Sequence, residues 1–157
     1  MSDLLKDPMV LRDIIMDHYQ YPRNHQLTND QHYHHAHMAS DSCIDDIHLE
    51  ALIEDGIIKD VRFNGVACTI STASTSIMSE LVRGKSVEEA KVLINDYLKM
   101  IDGQGFDEEE LQEAVAFQNV GRQANRIKCA TIGWNGLAEM IAESEKENDR
   151  EESGKEQ

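Results

Sequence analysis

Three cysteines carry the most reactive side chains in this chain: Cys43, Cys68 and Cys129. Their number is odd, so complete pairing into internal disulfides is impossible, and the remaining roles are free thiol, metal ligand or nucleophile. They are far apart in the sequence and form no Cys-x-x-Cys pair. Spacing alone therefore leaves two interpretations open, a shared metal site and three ordinary buried thiols.

The surroundings of the cysteines favour the metal site. Cys43 lies on a predicted turn, close to Asp45. Cys68 directly precedes a predicted helix, and Cys129 lies at the predicted start of the last helix, after Arg126 and Lys128. Helix N-termini and cationic neighbours favour the thiolate form of cysteine, which binds soft metals and attacks persulfides. Arg126 either offsets the charge of such thiolates or forms an ion pair with the acidic surface.

Three thiolates and one carboxylate complete the tetrahedral shell that zinc adopts in proteins. We predict that Cys43, Cys68 and Cys129 supply the thiolates and that Asp45 is the fourth ligand. Asp46 is the alternative, but the two-residue spacing between Cys43 and Asp45 lets both bind one ion. A carboxylate suits zinc less well than a thiolate does, so the predicted site is exchangeable rather than purely structural.

Histidines form a second group of metal-binding side chain types, at positions 32, 34, 35 and 37. They lie in the polar stretch 24–42, which the sequence predicts to be a loop, with at most a short strand. Ligation needs fixed geometry, so we interpret His32–His37 as a histidine-rich surface loop rather than as a second site. His48 alternates outward on a predicted strand and is expected to face solvent.

A helix and a β-hairpin are predicted in the first half of the chain. Asp7-Pro8 is a helix start, and apolar residues at helical spacing extend the helix to about residue 20. Residues 47–53 alternate in polarity as a strand does, and Asp55-Gly56 is typical of a hairpin turn into a partner strand over 57–63.

Four further helices are predicted after the hairpin. The first covers 71–83, and the second begins at the capping box formed by Ser86 and Glu89. A third covers about 107–118, and the last begins near Cys129. Together with the hairpin, these helices indicate an α+β fold in which a small antiparallel sheet is covered by helices.

The composition excludes several classes of function. A formal net charge of −15 repels phosphate backbones, so we expect no nucleic-acid binding. No apolar run is long enough for a membrane span and no secretory signal is visible, so we expect no membrane partner and a cytoplasmic location. The length fits one domain over residues 1–142, and the acidic segment 143–157 is predicted to be a disordered tail.

Several segments, in order along the chain, resemble a known family. They are MDHYQYPRN (16–24), the Cys43-x-Asp45 turn, FNGVACTISTAS (63–74), GKSVEEA (84–90) and RIKCATIGW (126–134). They resemble the SufU branch of the IscU/NifU N-terminal domain family, and the likeness spans about residues 8–142. Lys128, where IscU-type members have histidine before the last cysteine, and a longer segment over 101–121 indicate the SufU branch.

The resemblance implies a zinc-dependent acceptor of persulfide sulfur in iron–sulfur cluster assembly. The family's ligands fall on Cys43, Asp45, Cys68 and Cys129, and Cys43 is the expected accepting thiol. Independently of the resemblance, Arg126 is a candidate for guiding the persulfide, because it lies close to Cys129 in the sequence. The implied partners are a SufS-type pyridoxal-phosphate cysteine desulfurase and downstream iron–sulfur assembly proteins. On this interpretation the chain is a sulfur carrier and not an independent enzyme.

Two alternatives to the carrier stay open. One is a scaffold on which a transient iron–sulfur cluster is assembled at Cys43, Cys68 and Cys129, and the other is a purely structural zinc protein. The first ligand turn also departs from the family pattern Pro-x-Cys-Gly-Asp, because Ile44 replaces the glycine. Glycine adopts positive φ freely and isoleucine does not, so we expect a turn of different shape or mobility here.

Overall fold

The structure is a computed structural model that describes residues 6–39 and 44–155, without the side chains of 124, 125 and 148–155. Its elements follow in the order α1 (Pro8–Gln20), β1 (His34–Ala39), β2 (Asp46–Glu54), β3 (Ile57–Val66), α2 (Thr69–Val82), α3 (Val87–Ile101), α4 (Glu108–Leu111), the 3-10 helices Gln112–Phe117 and Val120–Arg122, and α5 (Ala124–Lys155). The predicted α+β fold is confirmed: a three-stranded antiparallel sheet is packed against helices.

The start of α1 and the β2–β3 hairpin agree with the local sequence signals. The Asp7 side chain accepts a hydrogen bond from the Met9 N–H at 2.9 Å, and Pro8 opens the helix. Asp55 and Gly56 have φ values of 54° and 73°, the left-handed pair that a two-residue hairpin turn requires. Both predictions depend on residues next to each other in the chain.

Strand β1 lies where the sequence predicts mainly a loop. It pairs antiparallel with β2, placing His37 opposite His48 and Ala36 opposite Leu49. Its outward side chains His35 and His37 alternate with the inward Ala36 and Met38, but the polar stretch around the strand hides this alternation. Pairing with β2, a contact within the sheet, accounts for this strand.

Helix α2 lies in the middle of the molecule, between α1, α5 and β3. Its buried side chains include hydroxyls, so the core contains polar groups that need hydrogen-bond partners. Ser76 Oγ, for example, lies 2.8 Å from both His18 Nδ1 and the backbone nitrogen of Arg23. These bonds connect α2 to α1 and to the turn that follows it.

The capping box of α3 is present as predicted, with the side chains of Ser86 and Glu89 each bonded to the other's backbone N–H. The continuous helix predicted over 107–118 is wrong. Asp107 does cap a helix, but α4 ends at Leu111, and Gln112 has φ 49° as the chain turns into a 3-10 helix. A left-handed residue cannot continue an α-helix.

Helix α5 is longer at both ends than the sequence predicts. It begins at Ala124, ahead of Cys129, and continues to Lys155. Residues 143–155 extend a helix that is already formed, and glutamate and lysine favour helix. The disordered tail stays a prediction. A domain boundary after residue 142 would fall inside this helix and stays a prediction. Among the described residues, no helix has the length and apolarity needed to cross a membrane.

Candidate metal centre

Asp45 lies just before β2 and is 2% exposed. Its Oδ1 accepts hydrogen bonds from the Cys68 backbone N–H at 2.8 Å and from the Ser71 hydroxyl at 2.7 Å. Its Oδ2 is buried and has no hydrogen-bond partner within the described part of the chain. A buried carboxylate oxygen without a donor is costly unless a cation binds it, so this atom is a candidate ligand.

Cys68 is the N-cap of α2, as the sequence order of hairpin and helix predicts. Its half-buried Sγ accepts from the Ser71 backbone N–H at 3.5 Å and lies 3.3 Å from the Ser71 hydroxyl. The sulfur therefore lies at the N-terminus of α2, the end of the helix that carries partial positive charge. Ser71 thus connects Cys68 to Asp45.

Cys129 is buried, 3% exposed, and lies in the second turn of α5. The prediction that it lies at a helix start is wrong, because α5 begins at Ala124. The effect of a helix N-terminus fades within the first turn, so it acts on Cys68 rather than on Cys129.

A buried hydrogen-bond network holds the helix segment around Cys129 against α2. The carbonyl oxygen of Ala130 accepts from the Ser74 hydroxyl and from the Tyr97 hydroxyl, each at 2.7 Å. Ser74 Oγ in turn accepts from Trp134 Nε1 at 3.1 Å, and the rings of Tyr97 and Trp134 stack with centroids 4.0 Å apart. The network joins three helices beside the thiol.

Close packing of α2 and α5 also depends on Gly133. A Cβ built on Gly133 would lie 2.3 Å from Thr75 Oγ1 and 3.0 Å from Thr75 Cβ. The two helices can therefore approach this closely only because residue 133 has no side chain. This crossing lies one helical turn beyond Cys129 and fixes its distance from Cys68.

One ligand atom each from Asp45, Cys68 and Cys129 lies within 4.8 Å of the other two. Tetrahedral zinc with Zn–S bonds of about 2.3 Å places its sulfur ligands about 3.8 Å apart, so the cluster needs only a small contraction to surround one ion. Two thiols and a buried carboxylate, whose Oδ2 has no hydrogen-bond partner among the residues that the structure describes, together fit zinc. Cys43, the fourth predicted ligand and the predicted accepting thiol, lies outside the described residues, and its roles stay predictions.

Comparison with known proteins gives the family. Residues 10–150 match the profile of the NifU-like N terminal domain. The chain belongs to the NifU-like N-terminal domain family. It is 36% identical to the zinc-dependent sulfurtransferase SufU of Bacillus subtilis strain 168, over 85% of this chain and 90% of that protein. It is 38% identical to the iron–sulfur cluster assembly scaffold protein IscU of Streptococcus pyogenes serotype M1, over 83% of this chain and 82% of that one.

A solved structure supports the same assignment. The crystal structure of FiSufU, a candidate iron–sulfur cluster assembly scaffold protein for the SUF system from Fervidobacterium islandicum AW-1, superposes with a TM-score of 0.75. The two chains are 31% identical, and the match covers 82% of this chain and 94% of FiSufU. The SufU-type resemblance found in the sequence is therefore confirmed.

In this NifU-like N-terminal domain, Asp46 does not join the thiol cluster. Its side chain is 56% exposed and Oδ1 lies 2.5 Å from Nε2 of His37. Asp45 and Asp46 are neighbours in sequence but point to different environments, one buried and one exposed. The geometry favours Asp45 over Asp46 as the carboxylate ligand.

Arg126 and Lys128 are both exposed on the first turns of α5. Arg126 also lines a groove of about 370 Å³ between α1 and the start of α2, together with Ile15, Thr69 and Ile70. This groove begins directly beside Cys68 in the sequence. Arg126 therefore shares a groove with the residue that follows Cys68, and its supporting role at the metal centre stays a prediction.

A second set of juxtaposed side chains, on the sheet, is missed by the sequence reasoning. His37, Asp46 and His48 bring one ligand atom each within 4.8 Å of one another. The alternation of His35 and His37 with Ala36 is a signal for a strand whose histidines share one face. The polar composition of the surrounding stretch favours a loop and hides this signal.

Proposed function

We propose that this protein is a zinc-dependent acceptor of persulfide sulfur, which it takes from a SufS-type cysteine desulfurase for iron–sulfur cluster assembly. The observation that carries the proposal is the convergence of Asp45, Cys68 and Cys129, with a buried carboxylate oxygen left without a donor among the described residues. The name of the B. subtilis relative, a zinc-dependent sulfurtransferase, points to the same chemistry.

Different residues of the chain position the two described thiols. Asp45 and Ser71 fix the N-terminus of α2 and so hold Cys68 in place. The network around Ala130 holds Cys129. Zinc bound by Asp45, Cys68, Cys129 and Cys43 would keep the thiols in the thiolate form and ready for exchange.

Cys43 is the proposed accepting thiol. Its thiolate attacks the terminal sulfur of the desulfurase persulfide, a new S–S bond forms on Cys43, and the desulfurase cysteine leaves as a thiolate. Sulfane sulfur moves between two cysteines, so no external oxidant or reductant is needed. The protein is then a co-substrate of the desulfurase and not an enzyme in its own right. A reducing compartment such as the cytoplasm suits this thiol chemistry.

The test is desulfurase stimulation. Increasing amounts of the protein are added to a SufS-type desulfurase with cysteine as substrate, and alanine release is followed with the zinc-loaded and the zinc-depleted protein. We expect stimulation by the zinc-loaded protein only. Cys43→Ala should abolish it, and Ser42→Ala, the neighbouring control, should not. Unchanged stimulation by Cys43→Ala would refute the role of this thiol.

The second candidate function is a scaffold for iron–sulfur clusters at the same cysteines. It is favoured by the scaffold names of the S. pyogenes and F. islandicum relatives. Metal analysis of protein purified without oxygen separates the two functions. Stoichiometric zinc without a chromophore supports the sulfur acceptor, whereas iron with acid-labile sulfide supports the scaffold.

A further inference from the structure

The outer face of the sheet carries a compact group of imidazole and carboxylate side chains. His37 on β1 and His48 on β2 are directly paired in the register, and their rings stack with centroids 4.3 Å apart. Asp46 lies two residues before His48 on the same face, with Oδ1 2.5 Å from His37 Nε2. We name these three residues the histidine face.

A fourth side chain extends the histidine face along β1. His35 lies two residues before His37 and points to the same side of the sheet. Its Nε2 is 3.1 Å from Nδ1 of His48. Nitrogen and oxygen lone pairs from two strands therefore converge on one small region of the surface.

The histidine face is separate from the thiol centre. Asp45, which belongs to that centre, is 2% exposed and bonded to Cys68 and Ser71. Asp46 is 56% exposed, and His37 is 50% exposed at its side chain. Solvent and ions therefore reach the histidine face without passing the buried cysteines.

We propose that the histidine face is a second metal site, which binds a divalent first-row transition metal ion through His37, Asp46 and His48. Two imidazoles and one carboxylate suit such ions, and this ligand set leaves positions open for water or for His35. The formal net charge of −15 further favours cation binding at an exposed site. The inference goes beyond the sulfur-accepting function, and neither depends on the other.

Strand geometry gives the site the rigidity that a loop would lack. The pairing of β1 with β2 continues before and after the His37–His48 pair, from His34 opposite Ala51 to Ala39 opposite Asp46. The backbone at both histidines is therefore held in the sheet. Sites built on regular elements hold ligands more closely than loop sites do. The rival explanation is an ordinary His–Asp ion pair with stacked rings, which requires no metal.

The experiment uses the full chain loaded with one equivalent of zinc, so that the thiol centre is occupied. Nickel(II) is titrated into it by isothermal calorimetry, and absorption is recorded in parallel to detect any sulfur-to-nickel charge transfer. We expect one nickel equivalent to bind without thiolate absorption. His37→Ala and His48→Ala should each weaken this binding about tenfold or more, because even loss of a residue that only orients a ligand weakens metal binding by that much.

His32→Ala is the matched control, because His32 has a side chain 75% exposed near the same strand and bonds to Asp30 instead. It should leave nickel affinity unchanged. Circular dichroism and zinc content establish that each variant is folded and loaded. The proposal is overturned if no nickel binds, if His32→Ala weakens binding as much as His37→Ala, or if thiolate absorption appears. Desulfurase stimulation by His37→Ala should be unchanged, which separates this site from the sulfur-accepting function.

Discussion

Asp45 accepts a hydrogen bond from the backbone N–H of Cys68 at 2.8 Å, across the gap between the start of β2 and the start of α2. One oxygen of the carboxylate thus organises the helix N-terminus, while the other is buried without a donor among the described residues. A single side chain therefore has two separable roles, a structural one through Oδ1 and a proposed metal-binding one through Oδ2.

Asp45→Asn should separate these roles. Asparagine keeps a carbonyl oxygen that accepts from Cys68 and Ser71, but an NH₂ group replaces the proposed ligand oxygen. We expect a folded protein whose affinity for the metal at the thiol centre falls about tenfold or more. Cobalt(II) substitution measures this, since sulfur-to-cobalt charge transfer reports only ions bound by thiolates.

Asp46→Asn is the control for this prediction, because Asp46 is the neighbouring carboxylate that the sequence leaves as an alternative ligand. It should leave the cobalt–thiolate absorption and its chelator resistance unchanged. If Asp46→Asn lowers the absorption and Asp45→Asn does not, the ligand assignment is reversed.

Gly133→Ala should destabilise the protein by about 1–3 kcal/mol, because the new methyl group overlaps Thr75 and forces α2 and α5 apart. Urea unfolding followed by circular dichroism measures the change. Gly105→Ala is the matched control, since a Cβ there meets no atom within 4 Å.

The double variant Thr75→Ala/Gly133→Ala tests the cause. It removes Thr75 Oγ1 and Cγ2, the atoms 2.3 Å and 3.0 Å from the added carbon. Part of the lost stability should therefore return, which a double-mutant cycle detects as coupling between the two sites. Additive losses would mean that the helices adjust in some other way.

Sequence reasoning succeeds where structure depends on adjacent residues. The Asp55-Gly56 turn and the Ser86–Glu89 capping box each involve residues within four positions, so the sequence displays the whole interaction. Strand β1 depends on pairing with β2, and its histidines hide the apolar alternation. The sequence therefore predicts mainly a loop there.

The structure brings together three of the residues predicted for the candidate site, but the sequence does not predict their geometry. Family resemblance selects Asp45, Cys68 and Cys129, but their approach depends on the crossing of α2 and α5 at Gly133. Nothing in the local sequence indicates that Gly133 faces Thr75, so the cause of the convergence is a tertiary contact. The helical position of Cys129 is also mispredicted, because α5 begins at Ala124, ahead of the expected start.

Ser74→Ala should destabilise the core by about 1–3 kcal/mol, since it leaves Trp134 Nε1 without its acceptor in a buried environment. Trp134 is the single tryptophan of the chain and is fully buried, so its fluorescence reports this change directly. We expect an altered emission of the native state and a lower urea midpoint.

Ser86→Ala is the control for the tryptophan signal, because Ser86 caps α3 and makes no bond to Trp134. Loss of the cap should lower the urea midpoint, by about 1 kcal/mol in stability, and should leave the native emission unchanged. If Ser74→Ala also leaves the emission unchanged, the Trp134–Ser74 hydrogen bond does not form in solution.

Asp60→Asn should make the pH dependence of stability shallower in acid. Burial by itself would raise the pKa of Asp60, but hydrogen bonds from Tyr33 at 2.7 Å and Arg62 at 2.8 Å, together with the charge of Arg83, outweigh burial and lower it. A lowered pKa in the folded state means that the ionised carboxylate stabilises the fold. This stabilisation is fully present above the ordinary value of 3.8 and is lost as the pH falls through the lowered folded-state pKa.

The wild type should therefore exceed Asp60→Asn in stability by about 1.5–3 kcal/mol at neutral pH, the cost of losing charged hydrogen bonds. The difference should narrow as the pH falls below about 3.8, because the wild-type carboxyl then takes up a proton and the variant has none to take up. Urea unfolding at a series of pH values measures both curves. Asp13→Asn, at an exposed position of α1, is the control and should run parallel to the wild type. A gap between wild type and Asp60→Asn that stays constant into strong acid would show that the ionised form of Asp60 contributes nothing to folding.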